Sequence, residues 1–189
     1  MKPSYTFAMV AILVALGVYV FAFERGPAPP AGDTKVQPNV VNFEAADLKT
    51  LTLEQGGKKV VLTQEKPGTW KVQDPPLGAA DSSRIDITVN MVRTWQAMET
   101  VNETYDGKDL ASFGLDQPTL KMTLGLTQGD QEVWVGAKTP TNSGYYVYAK
   151  GQKKLYLTYV NIPEDLGKLV QEPPQATPAP TPMPSASAS

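Results

Sequence analysis

The 189-residue chain contains no cysteine and no histidine, and these absences exclude more chemistry than any other feature of its composition. Nucleophilic triads and dyads that need imidazole or thiolate cannot form, and neither can a zinc site built on those ligands. With no disulfide to cross-link it, the folded part has to rest on an ordinary hydrophobic core. A basic excess is missing too. Lysine and arginine number 17 against 19 aspartates and glutamates, a net charge of -2, so there is no positive stripe to displace counterions and no nucleic-acid partner is expected. The carboxylate pairs Asp106 with Asp109 and Asp130 with Glu132 lack a calcium-loop spacing and the apolar setting that would split two pKa values. They read as solvated loop and turn residues. No cofactor or metal is expected, and no enzyme.

Charge is absent altogether from one long stretch, Tyr5 to Phe23. At about 1.5 Å per residue this run makes roughly 28 Å of helix, close to the hydrocarbon thickness of a bilayer. Its core residues are Phe7, Val10, Ile12, Leu13, Val14, Leu16, Val18, Val20, Phe21 and Phe23, which together favour insertion by roughly 3 to 6 kcal/mol. The run is longer than a secretory signal core, and the bulky Phe21-Ala22-Phe23 that ends it does not suit cleavage. An uncleaved anchor over residues 1–25 is the reading. Lys2 precedes the span while Arg25 beyond it is matched by Glu24, which places the amino terminus in the cytoplasm and the remainder outside it. The chain is expected in the inner or thylakoid membrane, with its folded part periplasmic or lumenal.

Proline and glycine punctuate the chain beyond this run. Residues 26–38 carry the composition of an extended tether, and residues 173–189 are proline, alanine, serine and threonine apart from Gln175 and Met183, with no charge, and are expected to be disordered because they cannot bury enough surface to fold. Between them, residues 39–172 alternate with period two, most clearly at Leu120, Met122, Leu124 and Leu126, and this predicts half-buried strands. Further strands are predicted at 51–54, 59–63, 69–72, 132–135, 145–149 and 154–158. One long helix is predicted from the cap Asp81, through Ile85, Val89, Val92 and Trp95, with Met91 and Met98 on its apolar face. A short helix is predicted from Pro163 to Leu169. Leu51 to Leu62 superposes on Leu124 to Val135 at an offset of 73 residues, with a Gln-Gly turn in each. The expected fold is α+β: two related halves, each an antiparallel hairpin plus a strand, sharing one core with the two helices.

The turn Phe113-Gly114-Leu115-Asp116-Gln117-Pro118 comes after the long helix and leads into the clearest strand. With Gly68-Thr69-Trp70-Lys71-Val72, Ala80-Asp81, Val135-Gly136 and Tyr146-Val147-Tyr148 in order, it resembles domain-of-unknown-function family 4340, in the short single-span form found in cyanobacteria. The resemblance implies an auxiliary extracytoplasmic protein associated with transport systems of the ABC class, and it supplies no catalytic residues. In this turn Gly114 is expected at a position denied to side chains, with Phe113 and Leu115 plugging the core and Pro118 fixing the start of the next strand.

Tyrosines cluster on two successive predicted strands, and Tyr146, Tyr148, Tyr156 and Tyr159 form the candidate partner surface. Alternation sends Tyr145 to the opposite face from Tyr146. The pairs Lys58-Lys59 and Lys153-Lys154 are expected to guard sheet edges. The functional expectation is a membrane-anchored accessory or assembly protein with a membrane-protein partner, working by protein contact. The alternative is a binding module for a small ligand or an envelope glycan.

Overall fold

The computed structural model describes residues 37–176; the apolar run Tyr5–Phe23, the tether as far as residue 36 and the tail beyond residue 176 lie outside the described residues. Among the described residues, no helix is long and apolar enough to cross a membrane. The elements are β1 (Leu48–Gln55), β2 (Lys58–Lys66), β3 (Thr69–Asp74), β4 (Gly78–Ala79), α1 (Ser82–Arg93), β5 (Glu99–Asn102), β6 (Leu120–Leu126), β7 (Gly129–Lys138), β8 (Gly144–Ala149), β9 (Lys154–Tyr159) and α2 (Asn161–Gln171). The strands form one antiparallel sheet in the order β4-β3-β2-β1-β6-β7-β8-β9-β5.

Alternation decides what each face of the sheet carries. Leu51, Leu53, Val60, Leu62, Trp70 and Val72 are buried on one face, and Met122, Leu124, Val133, Val135 and Val147 continue it across the centre. Both helices lie on this face. Helix α1 contributes Ile85, Val89 and Val92, and α2 contributes Leu166, Leu169 and Val170. The opposite face is divided. Over β7, β8 and β9 it carries a second, smaller core around Leu115 and Leu155. Over the first strands it carries half-buried threonines, Thr50, Thr52 and Thr63, with Thr123 beside them.

The central ladder has an unusual property. Leu51 faces Leu124, Thr50 faces Gly125 and Thr52 faces Thr123. Moving the pair Thr50 and Gly125 by 73 residues gives Thr123 and Thr52, which is also a pair, so the ladder is symmetric about Leu51 and Leu124. The sheet's ends obey the same rule. Strand β5, which comes after α1, pairs with β9, whereas Gln175, which comes after α2, bridges Ala80 just past β4. Each helix thus hands its next segment to the far end of the sheet.

Several expectations are corrected. The long helix stops at Arg93 and does not reach Met98, because the Trp95 amide turns back to the Val92 carbonyl at 3.2 Å and the next residues pair with residues 38–40, the Trp95 carbonyl accepting from Val40 and the Ala97 amide donating to Pro38, both at 2.9 Å. Its cap is as expected, the Asp81 carboxylate accepting from the Arg84 amide at 3.1 Å. Helix α2 is longer than expected at both ends. The lysine pairs do not guard edges, since β2 lies between β1 and β3, and β9 between β8 and β5. Lys58 instead bonds Gln171 at 2.7 Å, and Lys154 reaches Glu103 at 2.6 Å. Pro173 to Ala176, assigned by composition to the tail, are held at the β4 edge: Asp81 donates to the Pro174 carbonyl at 2.8 Å and Ala176 to that of Ala79 at 3.1 Å.

Candidate functional site

The family turn is a buckle on the back of the sheet. Leu110 to Phe113 make one short 3-10 turn, closed by Gly114 in the left-handed region at φ 64°. A side chain on Gly114 would place its Cβ 2.8 Å from both the Cβ and the backbone nitrogen of Ala137, and one on Gly136 would meet the Phe113 carbonyl oxygen. The two glycines let the turn settle on β7 where its register shifts between Val135 and Lys138. Leu115 is fully buried there, Phe113 and Pro118 are half-buried, and Asp116 is exposed. The Thr119 hydroxyl fastens the end of the buckle to the Gly136 carbonyl at 2.9 Å.

An aromatic cluster fills the space beneath. Tyr105 stands edge-on to Tyr148 at 5.0 Å and to Phe113 at 5.9 Å, Phe113 edge-on to Tyr146 at 5.1 Å, and Trp134 edge-on to Tyr148 at 6.1 Å. The four tyrosines proposed from sequence as one surface are therefore dispersed. Tyr148 is buried in this cluster, Tyr146 half-buried beside it, Tyr156 buried on the helix side with its hydroxyl donating to Gln152 at 2.8 Å, and Tyr159 exposed at the end of β9. Successive strand residues point to opposite faces, and over β8 and β9 the helix-side core covers one face and the aromatic cluster the other.

Trp134 borders solvent. Lys121 and Lys150 stand 5.4 and 5.1 Å from its ring centroid, and its indole N–H donates to Glu132, which pairs with Lys150 at 2.8 Å. Burial opposes the charge on Glu132, but the hydrogen bonds from Lys150 and Trp134 outweigh it and hold the carboxyl below its ordinary range. At the surface, the Lys108 ammonium lowers Asp106 in the same way from 2.7 Å. Among the described residues no group of three acidic side chains is placed to hold a metal.

The concave site is on the helix side. A groove of about 510 Å³ runs between α2 and the ends of the central strands. Its floor is Leu120, Val135, Tyr145 and Pro163, and its rim carries Gln55, Arg84, Thr119, Lys168 and Gln171. Gly167 lets the Gln55 side chain rest against α2, since a Cβ there would lie 2.9 Å from the Gln55 amide nitrogen and push that side chain aside. At one end Lys138 lies 5.3 Å over the Tyr145 ring and pairs with Glu164 at 2.8 Å, which raises the lysine pKa. At the other, Lys58 and Gln55 tether Gln171. An apolar floor beneath a rim of amides and charges of both signs, Arg84 and Lys168 with Glu164 and Glu172, can grip an apolar group and orient its polar neighbours.

Sequence reasoning named Tyr145 only as the tyrosine excluded from its patch and did not find the groove. The signal present was Pro163, Gly167 and Gln171 at four-residue intervals, a stripe with a small residue at its centre.

A family model described as Domain of unknown function (DUF4340) matches residues 70–170, just over half of the chain. Neither the curated proteins nor the solved structures give a match. The matched segment contains α1, the whole buckle with both its glycines, and the residues of the groove's floor, Leu120, Val135, Tyr145 and Pro163. The chain belongs to the DUF4340 family.

Proposed function

We propose that this protein is a non-enzymatic, membrane-anchored accessory or assembly subunit of a membrane complex, acting through protein contacts. The sequence supports an anchor in Tyr5–Phe23 with the amino terminus cytoplasmic, and a periplasmic or lumenal domain on a Pro/Gly tether. A transport system of the ABC class is the complex suggested by the family resemblance. The hairpins repeated at an offset of 73 residues support a domain built from two related halves.

The observation that carries the contact reading is the α2 groove, whose apolar floor opens to solvent beside the ion pairs Lys138–Glu164 and Lys168–Asp165. Crosslinking in native membranes, mild-detergent purification of the full-length protein and mass spectrometry test it, with a span-deleted control. A stoichiometric membrane-protein partner is expected. Recovery of the protein alone, in repeated preparations, overturns the reading.

A second reading, a binding module for a small ligand or envelope glycan, is favoured by the groove's volume, which falls within the range of small-molecule sites.

A further inference from the structure

The two Gln-Gly turns repeated at an offset of 73 residues lie at opposite ends of the central strand pair, about 23 Å apart for a strand running from Leu48 to Gln55. Each turn borders a cavity. One, of about 380 Å³, is lined by Gln55, Gly56, Gly57 and Lys58; the other, of about 510 Å³, is lined by their equivalents Gln128, Gly129, Asp130 and Gln131. An exact repeat would give both ends the same charge. Here the first cavity carries Lys58, Lys59 and Lys121 against the single carboxylate Glu54, whereas the second carries Glu44, Asp47 and Asp130 with no lysine or arginine in its lining.

Neither set of charges is satisfied within the fold. Lys59 pairs with Glu54 at 3.4 Å, but Lys58 is bonded to the Gln171 side-chain oxygen at 2.7 Å and Lys121 lies 5.4 Å from the Trp134 ring centroid, so neither has a carboxylate partner among the described residues. None of Glu44, Asp47 and Asp130 is in an ion pair among the described residues, and the Lys49 ammonium, close to them in sequence, bonds the Ala46 carbonyl at 3.2 Å. Shape differs along with charge. Gly56 and Gly57 carry no side chains and have open space about them, which makes the basic turn a slender projecting tip. The acidic cavity has half-buried Phe43 and Leu126 in its wall, and its volume lies in the range that holds a drug-sized ligand, larger than two glycines.

We infer that copies of this chain associate head to tail, the β1–β2 tip of one copy, with its Lys58 and Lys59, seated in the acidic cavity of the next. Glu44, Asp47 and Asp130 receive the ammonium groups, and Phe43 and Leu126 cover the glycines of the tip. Like ends repel, so the complementary charges set both the partner and the register. A contact between unlike ends is heterologous: it leaves one tip and one cavity free, and extends into a row instead of stopping at a dimer. Exposed ion pairs are individually weak, so the row forms where copies are crowded together. The inference goes beyond the accessory reading, since it concerns contacts of the chain with itself and holds whether or not another protein joins them.

The test applies a carbodiimide, which condenses an amine with a carboxylate and leaves no spacer, to a mixture of isotope-labelled and unlabelled full-length protein in mild detergent at low salt. The protein is held at about 1 mM, where even a contact with a Kd of about 1 mM is populated. A ladder of dimer, trimer and longer species is expected on a denaturing gel, with mixed-isotope peptides joining Lys58 or Lys59 to Glu44, Asp47 or Asp130. Within one copy these groups lie at opposite ends of the strand pair, too far apart to be joined. High salt should reduce the ladder severalfold. In sedimentation velocity, Lys58→Glu with Lys59→Glu should abolish association, and so should Glu44→Lys with Asp130→Lys, all four residues being exposed. Mixing the two variants should restore it, which a folding defect would not allow. A single band, a product that stops at the dimer, links at other sites only, or association that survives in each variant alone would each overturn the inference. Finding or losing a different protein in the membrane crosslinking above bears on the accessory reading alone.

Discussion

At the scale of single residues, the buckle concentrates the most severe constraints. Gly114→Ala combines a left-handed backbone with a Cβ driven against the backbone of Ala137, and should cost about 2 to 4 kcal/mol in urea unfolding. Gly57→Ala, also at positive φ but with open space around it, should cost about 1 kcal/mol; equal losses would show that packing at the buckle is unimportant. Tyr105 is buried and its hydroxyl has no hydrogen-bond partner among the described residues. Tyr105→Phe should therefore leave stability unchanged or raise it by up to about 1 kcal/mol, and a clear loss would reveal a bond that the fold does not show. Glu132 gives a pH signature. Its carboxyl is held low in the fold, so its contribution is present above the ordinary glutamate pKa and is lost as pH falls through the depressed value. Lys150→Met should move the Glu132 carboxyl resonance to titrate at higher pH and shrink this acid-side loss, and an unmoved resonance would assign the depression elsewhere.

Among the elements, the edges matter most. Pro173 to Ala176 close the β4 side with two backbone hydrogen bonds, Asp81 to Pro174 and Ala176 to Ala79, which together make the bridge of Gln175 with Ala80. A chain ended at Glu172 should be about 1 to 3 kcal/mol less stable than one ended at Ala176. Amide exchange should then accelerate at Ala79 to Asp81 and stay unchanged in β5, whereas uniform acceleration would mean that the edge is not a local latch. These edges are also where sequence was least legible. The seven strongly alternating segments are all strands, because alternation records burial on one face. Strands β4 and β5 escaped notice since Gly78-Ala79 is only two residues long and Glu99-Thr-Val-Asn102 lies at a solvated edge with almost no apolar signal. Met98, an apparent continuation of the helix, instead donates its backbone amide to Leu157 at 2.8 Å. The buckle was readable because glycine between two large apolar residues names a turn. The groove was not, since its walls come from β1, β6, β7, β8 and both helices, and no local pattern records that convergence.

For the molecule as a whole, the reciprocal edges predict a single unfolding transition. Trp70 packs in the main core on β3 and Trp134 packs against the back-face cluster on β7. Fluorescence of variants retaining only one of these tryptophans should report the same urea midpoint as far-UV circular dichroism, while separated midpoints would mean that the halves unfold independently. The Tyr105 and Tyr156 hydroxyls extend the argument to alkaline pH. Burial is the main cause raising both, so the fold keeps protons that the unfolded chain releases above about pH 10. Stability should fall as pH rises through that range.

The exchange of segments between the two ends of the sheet also bears on breakage. The stretch from Glu103 to Thr119 is the link between the two hairpin systems, and its exposed corner at Lys108 and Asp109 offers a protease an accessible bond. A cut there would sever the polypeptide without releasing either piece. The amino-terminal fragment would still own β5 on the far side of β9, and the carboxy-terminal fragment would still own the strip of chain beside β4. The nicked protein should migrate as one particle under native conditions and as two in denaturant, much as a clasp stays shut when its thread is cut.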